Sequence, residues 1–246
     1  MTKPLSGKIA LITGASRGIG YATGVALAKA GAHVVAIART VGGLEELDDA
    51  IQAEGSTATL VPLDLRDSDG IARLALALNE RYQRLDVLIG NGGVLGPVSP
   101  LGHVEAKAWD ETMAVNVTAN FHLIRTMDPL LRAADAGRAV FVTSGAATNH
   151  RAYRGPYSIS KAALNALALT YAAETVTTNV RVNLINPGPT RTRMRAALMP
   201  GEDPMTLKTV EAVADKIVAM CLPDFQETGK LYDCEKGRLL TMQSPA

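Results

Sequence analysis

Short apolar segments alternate along this chain with longer segments of helical periodicity. The apolar segments are continuous, which indicates strands that are buried on both faces. Strands that alternate with helices predict parallel βαβ units, and a doubly wound sheet binds its ligands at the carboxyl ends of the strands. The predicted strands are residues 9–12, 33–38, 58–63, 85–90, 139–142 and 180–185, with a weaker seventh at 230–232. We therefore predict a single α/β domain over residues 1–246, with about seven strands and helices on both faces.

Charge and composition limit the classes of partner. A formal net charge of +1 gives no general attraction to nucleic acid or to an anionic membrane. The first apolar run is too short for a signal peptide, and no stretch approaches the roughly 20 apolar residues that span a bilayer. Cys221, Cys234 and the scattered histidines lack the spacing of metal ligands. We expect a cytoplasmic protein that acts on a small molecule and holds no metal.

A glycine-rich turn follows the first predicted strand, at residues 13–20 (Thr-Gly-Ala-Ser-Arg-Gly-Ile-Gly). Glycines there allow backbone N–H groups at a helix N-terminus to approach a pyrophosphate. A tight turn without a ligand is the alternative, but its place on the first turn of a parallel sheet favours a dinucleotide and a Rossmann-type domain. The predicted cofactor contacts in this turn are Gly14, Ser16, Arg17, Gly18, Ile19 and Gly20.

The end of the second predicted strand indicates which dinucleotide would bind. An NAD site usually places an acid about 20 residues after the glycine turn, where it holds the ribose 2′-hydroxyl. Here Arg39 stands at that place, the nearest downstream carboxylate is Glu45, and Arg17 lies within the turn. Two guanidiniums suit a 2′-phosphate, although each could be a solvated surface arginine. We predict a preference for NADP(H), with NAD(H) as the weaker cofactor.

Tyr157 and Lys161 are four residues apart in a segment predicted to be helical over residues 157–176. Such residues share one face of a helix, so the ammonium can lower the pKa of the phenol from its usual value of about 10. A phenol that exchanges protons near neutral pH is what carbonyl reduction or alcohol oxidation requires. The spacing also arises by chance in many helices, so its meaning depends on the other motifs.

Together the motifs resemble those of the short-chain dehydrogenase/reductase family, over essentially the whole chain. The turn matches Thr-Gly-x-x-x-Gly-x-Gly, Tyr157 and Lys161 match Tyr-x-x-x-Lys, and Ser144 and Asn116 match the family's catalytic Ser and Asn. Length and motifs are similar to those of 3-oxoacyl-acyl-carrier-protein reductases. The resemblance implies cofactor contacts from Asp64, Leu65, Asn91, Gly93, Tyr157, Lys161, Pro187, Gly188, Thr190 and Thr192.

The resemblance also implies a division of roles for hydride transfer from NADPH. Tyr157 would be the general acid and base, and Lys161 would hold the nicotinamide ribose. Ser144 would donate a hydrogen bond to the developing alkoxide, and Asn116 would hold a water. Ser144 and Thr192 could instead be helix caps, and Asn116 could satisfy buried backbone groups.

The predicted function is reversible, NADPH-dependent reduction of a ketone or aldehyde to an alcohol. A catalytically silent NADP(H)-binding regulatory protein is the alternative from another class. An epimerase or dehydratase is less favoured, because the chain leaves little room for a separate substrate domain.

One motif departs from the family pattern. Gly90-Asn91-Gly92-Gly93 stands where the family has Asn-Asn-Ala-Gly. Two extra glycines add backbone entropy to the unfolded chain, at a cost of about 0.5–1 kcal/mol each. We expect looser packing at this turn, near the adenosine ribose.

Two expectations concern the surface. Residues 189–206 are expected to form a lid over the substrate, with arginines that could attract an anionic or phosphopantetheine-linked substrate or could simply be solvated. The helix predicted at 157–176 is apolar on most faces, so a second subunit would cover the face that the fold leaves open. We therefore expect a homodimer or homotetramer.

Overall fold

A computed structural model describes residues 3–242, so Met1, Thr2 and residues 243–246 of the predicted domain lie outside the described residues. The described chain forms one sheet in the order β3-β2-β1-β4-β5-β6-β7-β8. Neighbouring strands are parallel except for the antiparallel pair β7 and β8. The strands are β1 (Ile9–Thr13), β2 (His33–Ala38), β3 (Ala58–Pro62), β4 (Val87–Gly90), β5 (Arg138–Val142), β6 (Arg181–Asn186), β7 (Lys230–Asp233) and β8 (Arg238–Thr241).

Helices cover both faces of the sheet. One apolar core joins the sheet to α1, α2 and α9, and a second core joins its other face to α3, α5 and α7. None of the helices within residues 3–242 is long and apolar enough to cross a membrane. The helices are α1 (Gly18–Lys29), α2 (Val41–Ala53), α3 (Ser68–Tyr82), α4 (Ala106–Met113), α5 (Ala119–Ala133), α6 (Ala146–Asn149), α7 (Gly155–Glu174), α8 (Arg193–Leu198) and α9 (Val210–Met220). A π-helical turn, Ala114–Thr118, joins α4 to α5.

The strand order places a ligand crevice at the middle of the sheet. The chain builds β2 and β3 on one side of β1, then crosses over so that β4 pairs with the other side of β1. Loops that leave the carboxyl ends of β1 and β4 therefore run in opposite directions and open a crevice between them. The glycine turn and the segment that follows Gly90 are these two loops.

The predicted doubly wound α/β class is confirmed, and residues 3–242 form eight strands where about seven were expected. The additional strand, β8, is antiparallel and lies at the edge of the sheet. A short turn connects it to β7: Gly237 has a positive φ of 65°, and its N–H donates to the carbonyl of Asp233 at 2.8 Å. Because β8 is only four residues long and partly exposed, it lacks the continuous apolar run by which the other strands were recognised.

The expectation of loose packing at Gly90 is wrong. A Cβ at Gly90 would overlap the ring of Phe141 and would lie 2.5 Å from Asn120 Oδ1. Phe141 is the partner of Gly90 in the β4–β5 register, and Asn120 comes from α5. These two side chains fill the volume that a larger residue would occupy, so the turn is supported by a tightly packed core.

Candidate active site

The loops after β1 and β4 are bonded to each other. The Thr13 hydroxyl accepts the N–H groups of Asn91 at 3.1 Å and Gly92 at 2.9 Å. In return, the Asn91 amide donates to the carbonyl of Thr13 at 2.8 Å. Gly14 has a φ of +66°, and a Cβ there would lie 2.8 Å from the Cα of Gly92. Only glycine fits at this position, because the two backbones are in direct contact.

The N-terminus of α1 opens into the crevice with free donors. Gly18 begins the helix at a φ of +59°, and Arg17 occupies the cap position without a side-chain cap bond. Within the described chain, the first turn of α1 contains no acidic residue. The first N–H groups of a helix lack intrahelical partners and favour an anion. This donor set fits the pyrophosphate of a dinucleotide.

Two arginines and two acids line the end of the crevice beside β2 and β3. Arg17 and Arg39 are exposed and line the crevice, while Asp64 and Glu46 are the acids that line the same end. Arg66 donates to the Asp64 carboxylate from Nη2 at 2.7 Å, and this hydrogen bond lowers the pKa of Asp64 to about 2. Asp64 is therefore ionised and paired with Arg66. Arg17 and Arg39 remain available to bind the 2′-phosphate of a dinucleotide.

Lys161 is buried below the crevice, with 4 % of its surface exposed. Its Nζ donates to the carbonyl of Val142, the last residue of β5, at 2.7 Å. It lies 5.9 Å from the centroid of the Tyr157 ring. Desolvation lowers the pKa of Lys161 to about 8. The lysine can therefore lose or gain a proton within the ordinary working range of an enzyme.

Tyr157 lines the crevice one turn before Lys161 on α7. Burial raises the pKa of its phenol, and the Ser144 hydroxyl and the Arg154 guanidinium oppose this only in part. The expected net lowering of the Tyr157 pKa is wrong for this structure. Burial outweighs the neighbouring charges, and the ammonium is bonded to a backbone carbonyl instead of the phenol. Tyr157 is consequently protonated near neutral pH.

Asn116 is fully buried in the π-helical turn and does not line the crevice. Its Oδ1 accepts the N–H of Val94 at 2.8 Å, and its Nδ2 donates to the Val94 carbonyl and to the Ser160 hydroxyl, both at 2.9 Å. Ser160 in turn donates to the carbonyl of Tyr157 at 2.9 Å. The Asn116 side chain therefore satisfies buried groups, as the simpler alternative held, and it ties the loop after β4 to the helix that carries Tyr157.

A single amide organises the loops after β5 and β6. Asn186 Oδ1 accepts the N–H of Gly145 at 3.0 Å and the N–H of Gly188 at 3.1 Å. The buried Thr190 hydroxyl donates to the carbonyl of Gly188 at 3.2 Å, and the Thr192 hydroxyl caps α8. Both threonine hydroxyls already have partners within the loop, so Thr190 is left with its backbone for contact with a ligand.

These loops enclose a cleft of about 1170 Å³ along the carboxyl ends of the strands. Ser144 and every predicted cofactor contact line it, and Asn116 is the predicted site residue that lies behind its wall. The cofactor contacts brought together are Gly14, Ser16, Arg17, Gly18, Ile19, Gly20, Arg39, Asp64, Leu65, Asn91, Gly93, Tyr157, Lys161, Pro187, Gly188, Thr190 and Thr192.

Sequence reasoning missed part of the opposite end of the cleft. Asn149, Arg151, Arg154 and Glu235 also line the cleft there. The three-residue spacing between Arg154 and Tyr157 is the one signal that could have indicated this. Within residues 3–242, no group of three or more His, Cys, Asp or Glu side chains could hold a metal ion.

Comparisons with known proteins agree on one family. The family model described as short chain dehydrogenase matches residues 8–203. The uncharacterized oxidoreductase YciK of Escherichia coli K12 is 37 % identical over 238 residues, which cover 95 % of this chain and 94 % of that protein.

Solved structures agree as well. A short chain dehydrogenase from Salmonella enterica serovar Typhi CT18 superposes with a TM-score of 0.91 at 33 % identity, covering 96 % of this chain and 98 % of the other. A chain from Escherichia coli CFT073, described as a short chain dehydrogenase complexed with NADPH, gives a TM-score of 0.91 at 35 % identity and covers 96 % and 99 %.

Proposed function

The chain belongs to the short-chain dehydrogenase family of NAD(P)-dependent enzymes that act on CH–OH and C=O groups, and we propose that it uses NADPH to reduce a ketone or aldehyde to an alcohol. One observation carries the proposal: Tyr157, Lys161 and Ser144 line the same cleft as the free N-terminus of α1. A proton donor and a dinucleotide site thus share one cavity, which is what reduction of a carbonyl requires.

NADP(H) is the proposed cofactor. The N-terminus of α1 would hold the pyrophosphate, Arg17 and Arg39 would hold the 2′-phosphate, and Lys161 would hold the ribose beside the nicotinamide. When bound, the nicotinamide supplies or accepts the hydride. The structural relative from Escherichia coli CFT073 that contains NADPH supports this choice over NAD(H).

The arginine pair gives a direct test of the cofactor. Arg39→Asp should weaken NADPH binding relative to NADH by about 10- to 100-fold, the effect of losing a hydrogen bond to a charged group. Affinities for both cofactors are measured by fluorescence titration of the same variant. NADH is the internal control, because the two cofactors differ only in the 2′-phosphate. Equal binding of NADH and NADPH by the wild type would contradict the proposed preference.

Tyr157 is the proposed proton donor in the reduction direction. Burial keeps its phenol protonated at neutral pH, so it can donate a hydrogen bond to the carbonyl oxygen and then release the proton to it. Ser144 would donate a second hydrogen bond to the same oxygen and stabilise the charge that develops there. Lys161, with its pKa near 8, would place a positive charge beside the phenol and favour release of the proton.

Asn116 would complete the path by which protons from solvent reach Lys161 and Tyr157. Both N–H groups of its side-chain amide donate to Val94 and Ser160, so the group proposed to hold a water is its main-chain carbonyl, which also accepts a hydrogen bond from Asn120 Nδ2 at 2.9 Å. The π-helical turn at Ala114–Thr118 supports such a role, because it interrupts the regular helical hydrogen bonds at this residue.

Replacement of Tyr157 tests the mechanism. Tyr157→Phe should lower kcat by about 10²- to 10⁴-fold, the usual contribution of a general acid, while NADPH still binds. Turnover is followed at the nicotinamide absorbance with a panel of ketones, aldehydes and 3-oxoacyl thioesters. Tyr153→Phe is the matched control, because Tyr153 is 59 % exposed and does not line the cleft.

Two results would contradict this reading. Substantial turnover by Tyr157→Phe would refute the role of the phenol. If wild-type protein binds NADPH but oxidises none of it with any compound of the panel, the silent regulatory protein becomes the better account.

Residues 189–206 are proposed to form a lid over the substrate, within one domain that spans residues 1–246. Internal contacts support a lid that moves as a unit: Arg195 pairs with Glu202, and Arg191 Nε donates to the Pro204 carbonyl at 2.8 Å. Limited proteolysis should cut this segment more slowly when NADPH and substrate are present.

We also propose a cytoplasmic homodimer or homotetramer. Phe121 on α5 and Ile159 on α7 are 46 % and 38 % exposed, which leaves apolar surface on both helices for a second copy. Sedimentation at micromolar concentration tests the assembly, and a monomeric mass would contradict it. Localisation of a tagged chain by fractionation tests the compartment.

A further inference from the structure

The end of the cleft beside Tyr157 carries two arginines that the proposed chemistry does not use. Arg154 occupies the N-terminal cap of α7, three residues before Tyr157, and Arg151 lies in the preceding loop. Both side chains line the cleft. Arg154 Nη2 lies 3.6 Å from the sulfur of Met199, so its guanidinium reaches from the start of α7 to the segment proposed as the lid.

This end of the cleft has an excess of positive charge. Within residues 3–242, neither Arg151 nor Arg154 forms an ion pair with a carboxylate. Burial lowers the pKa of Arg154, and the charges of Arg151 and Arg195 lower it further. Arg195 differs from the other two, because Glu202 binds it and Glu235 is also near it. Unpaired like charges at one site disfavour the folded chain unless an anion joins them.

The position of Arg154 limits how far that anion lies from the reacting carbonyl. Its charge acts on the Tyr157 phenol, where it lowers the pKa in opposition to burial. Arg154 and Tyr157 lie three residues apart at the start of α7 and both line the cleft, so an anion bound to this guanidinium lies at the same end of the cleft as the oxygen that Tyr157 would protonate. A phosphopantetheine arm carries its phosphate at the far end, away from the thioester carbonyl. A carboxylate on a small substrate fits the spacing better, and arginine binds carboxylates with two parallel hydrogen bonds.

We propose that Arg154, assisted by Arg151, binds a carboxylate of the substrate, so that the enzyme reduces a small oxo acid to a hydroxy acid. The inference rests on the proposed function, since it takes Tyr157 as the proton donor. The carbonyl carbon receives a hydride from NADPH, and the carbonyl oxygen receives a proton from Tyr157, which solvent replaces. The products are the hydroxy acid and NADP⁺.

Matched pairs of substrates test the carboxylate site. Full-length protein with saturating NADPH is assayed with 2-, 3- and 4-oxo acids and with the methyl ester of each acid. The ratio of kcat/KM for the best acid to that for its ester should exceed 10 in the wild type. Arg154→Met should lower this ratio about 10- to 100-fold by raising the KM for the acid, as expected for loss of a hydrogen bond to a charged group. Arg73→Met is the control, because Arg73 is an exposed arginine on α3 that does not line the cleft, and it should leave the ratio unchanged.

A second measurement keeps the site testable without turnover. Calorimetric titration of the NADP⁺-bound protein with oxamate and with the uncharged analogue oxamide should show tighter binding of oxamate, and Arg154→Met should remove the difference. If oxamate and oxamide bind equally, the carboxylate site is refuted whatever the turnover.

The remaining outcomes separate the two proposals. If esters and neutral ketones are reduced as efficiently as the acids, and Arg154→Met leaves the ratio unchanged, the carboxylate site is wrong while the proposed function stands. If acetoacetyl phosphopantetheine is reduced faster than acetoacetyl pantetheine, and Arg154→Met removes that difference, the anion is a phosphate and the carboxylate site is again refuted. If no carbonyl compound is reduced but oxamate binding depends on Arg154, the anion site stands and the proposed function fails.

Discussion

Removal of the buried lysine should make the protein more stable at neutral pH while it destroys turnover. Burial lowers the pKa of Lys161 from 10.5 to about 8, which corresponds to about 3 kcal/mol of destabilisation when the amine is charged. Lys161→Met removes this penalty but leaves the Val142 carbonyl without its donor, at a cost of about 1–3 kcal/mol. The two effects leave the variant about 0–2 kcal/mol more stable at pH 7.

The dependence on pH isolates the ionic contribution, because the cost at the carbonyl does not change with pH. The folded chain has the lower pKa, so the unfolded chain binds the proton more tightly between about pH 8 and pH 10.5. The penalty is complete below pH 8 and disappears as the pH rises toward 10.5. Between pH 7 and pH 9 the wild type should therefore gain about 1 kcal/mol relative to Lys161→Met.

Urea denaturation of the two proteins at several pH values measures this difference. Lys107→Met is the control, since Lys107 is an exposed lysine on α4 whose loss should give no such pH dependence. A difference in unfolding free energy that stays constant from pH 7 to pH 9, or that moves further in favour of the variant, would refute the assignment of a desolvated Lys161.

Two further predictions follow from packing and from the lid. Gly90→Ala should destabilise the fold by about 1–3 kcal/mol in urea denaturation, because its Cβ would overlap the ring of Phe141, whereas Gly42→Ala meets open space and should not destabilise it. Glu202→Gln should speed proteolytic cleavage within residues 189–206, because Arg195 loses its ionic partner, and an unchanged cleavage rate would show that the pair does not hold the segment.

The arrangement of the strands could be predicted because burial on both faces leaves a direct mark in the sequence. Residues 33–38 coincide with β2, and the other predicted parallel strands differ from the observed ones by at most two residues at either end. β8 was not predicted, because an edge strand needs no continuous apolar run. The π-helical turn was not predicted, because its residues continue the helical pattern of α4 and α5. The extra residue in one turn changes the hydrogen bonding but leaves no mark in the composition.

The residues that line the cleft could largely be predicted from the sequence, whereas their electrostatics could not. A four-residue spacing places Tyr157 and Lys161 on one face of α7, but it does not tell how deeply that face is buried. Burial disfavours the charged form of both groups, so it raises the pKa of the phenol, which was expected to fall, and lowers the pKa of the lysine. The role of the Asn116 side chain depends on Val94, which is distant in sequence and comes close only through the fold.

The contact between Gly90 and Phe141 constrains how this sequence can change. Neither residue can be altered freely, because a larger residue at position 90 requires a smaller one at position 141. The substitution at position 141 must therefore come first. The two positions are therefore epistatic, and grafting the family's Asn-Asn-Ala-Gly segment onto this chain should fail unless Phe141 is replaced beforehand. The identity of a turn beside the cofactor is thus inherited together with the core of the neighbouring strand.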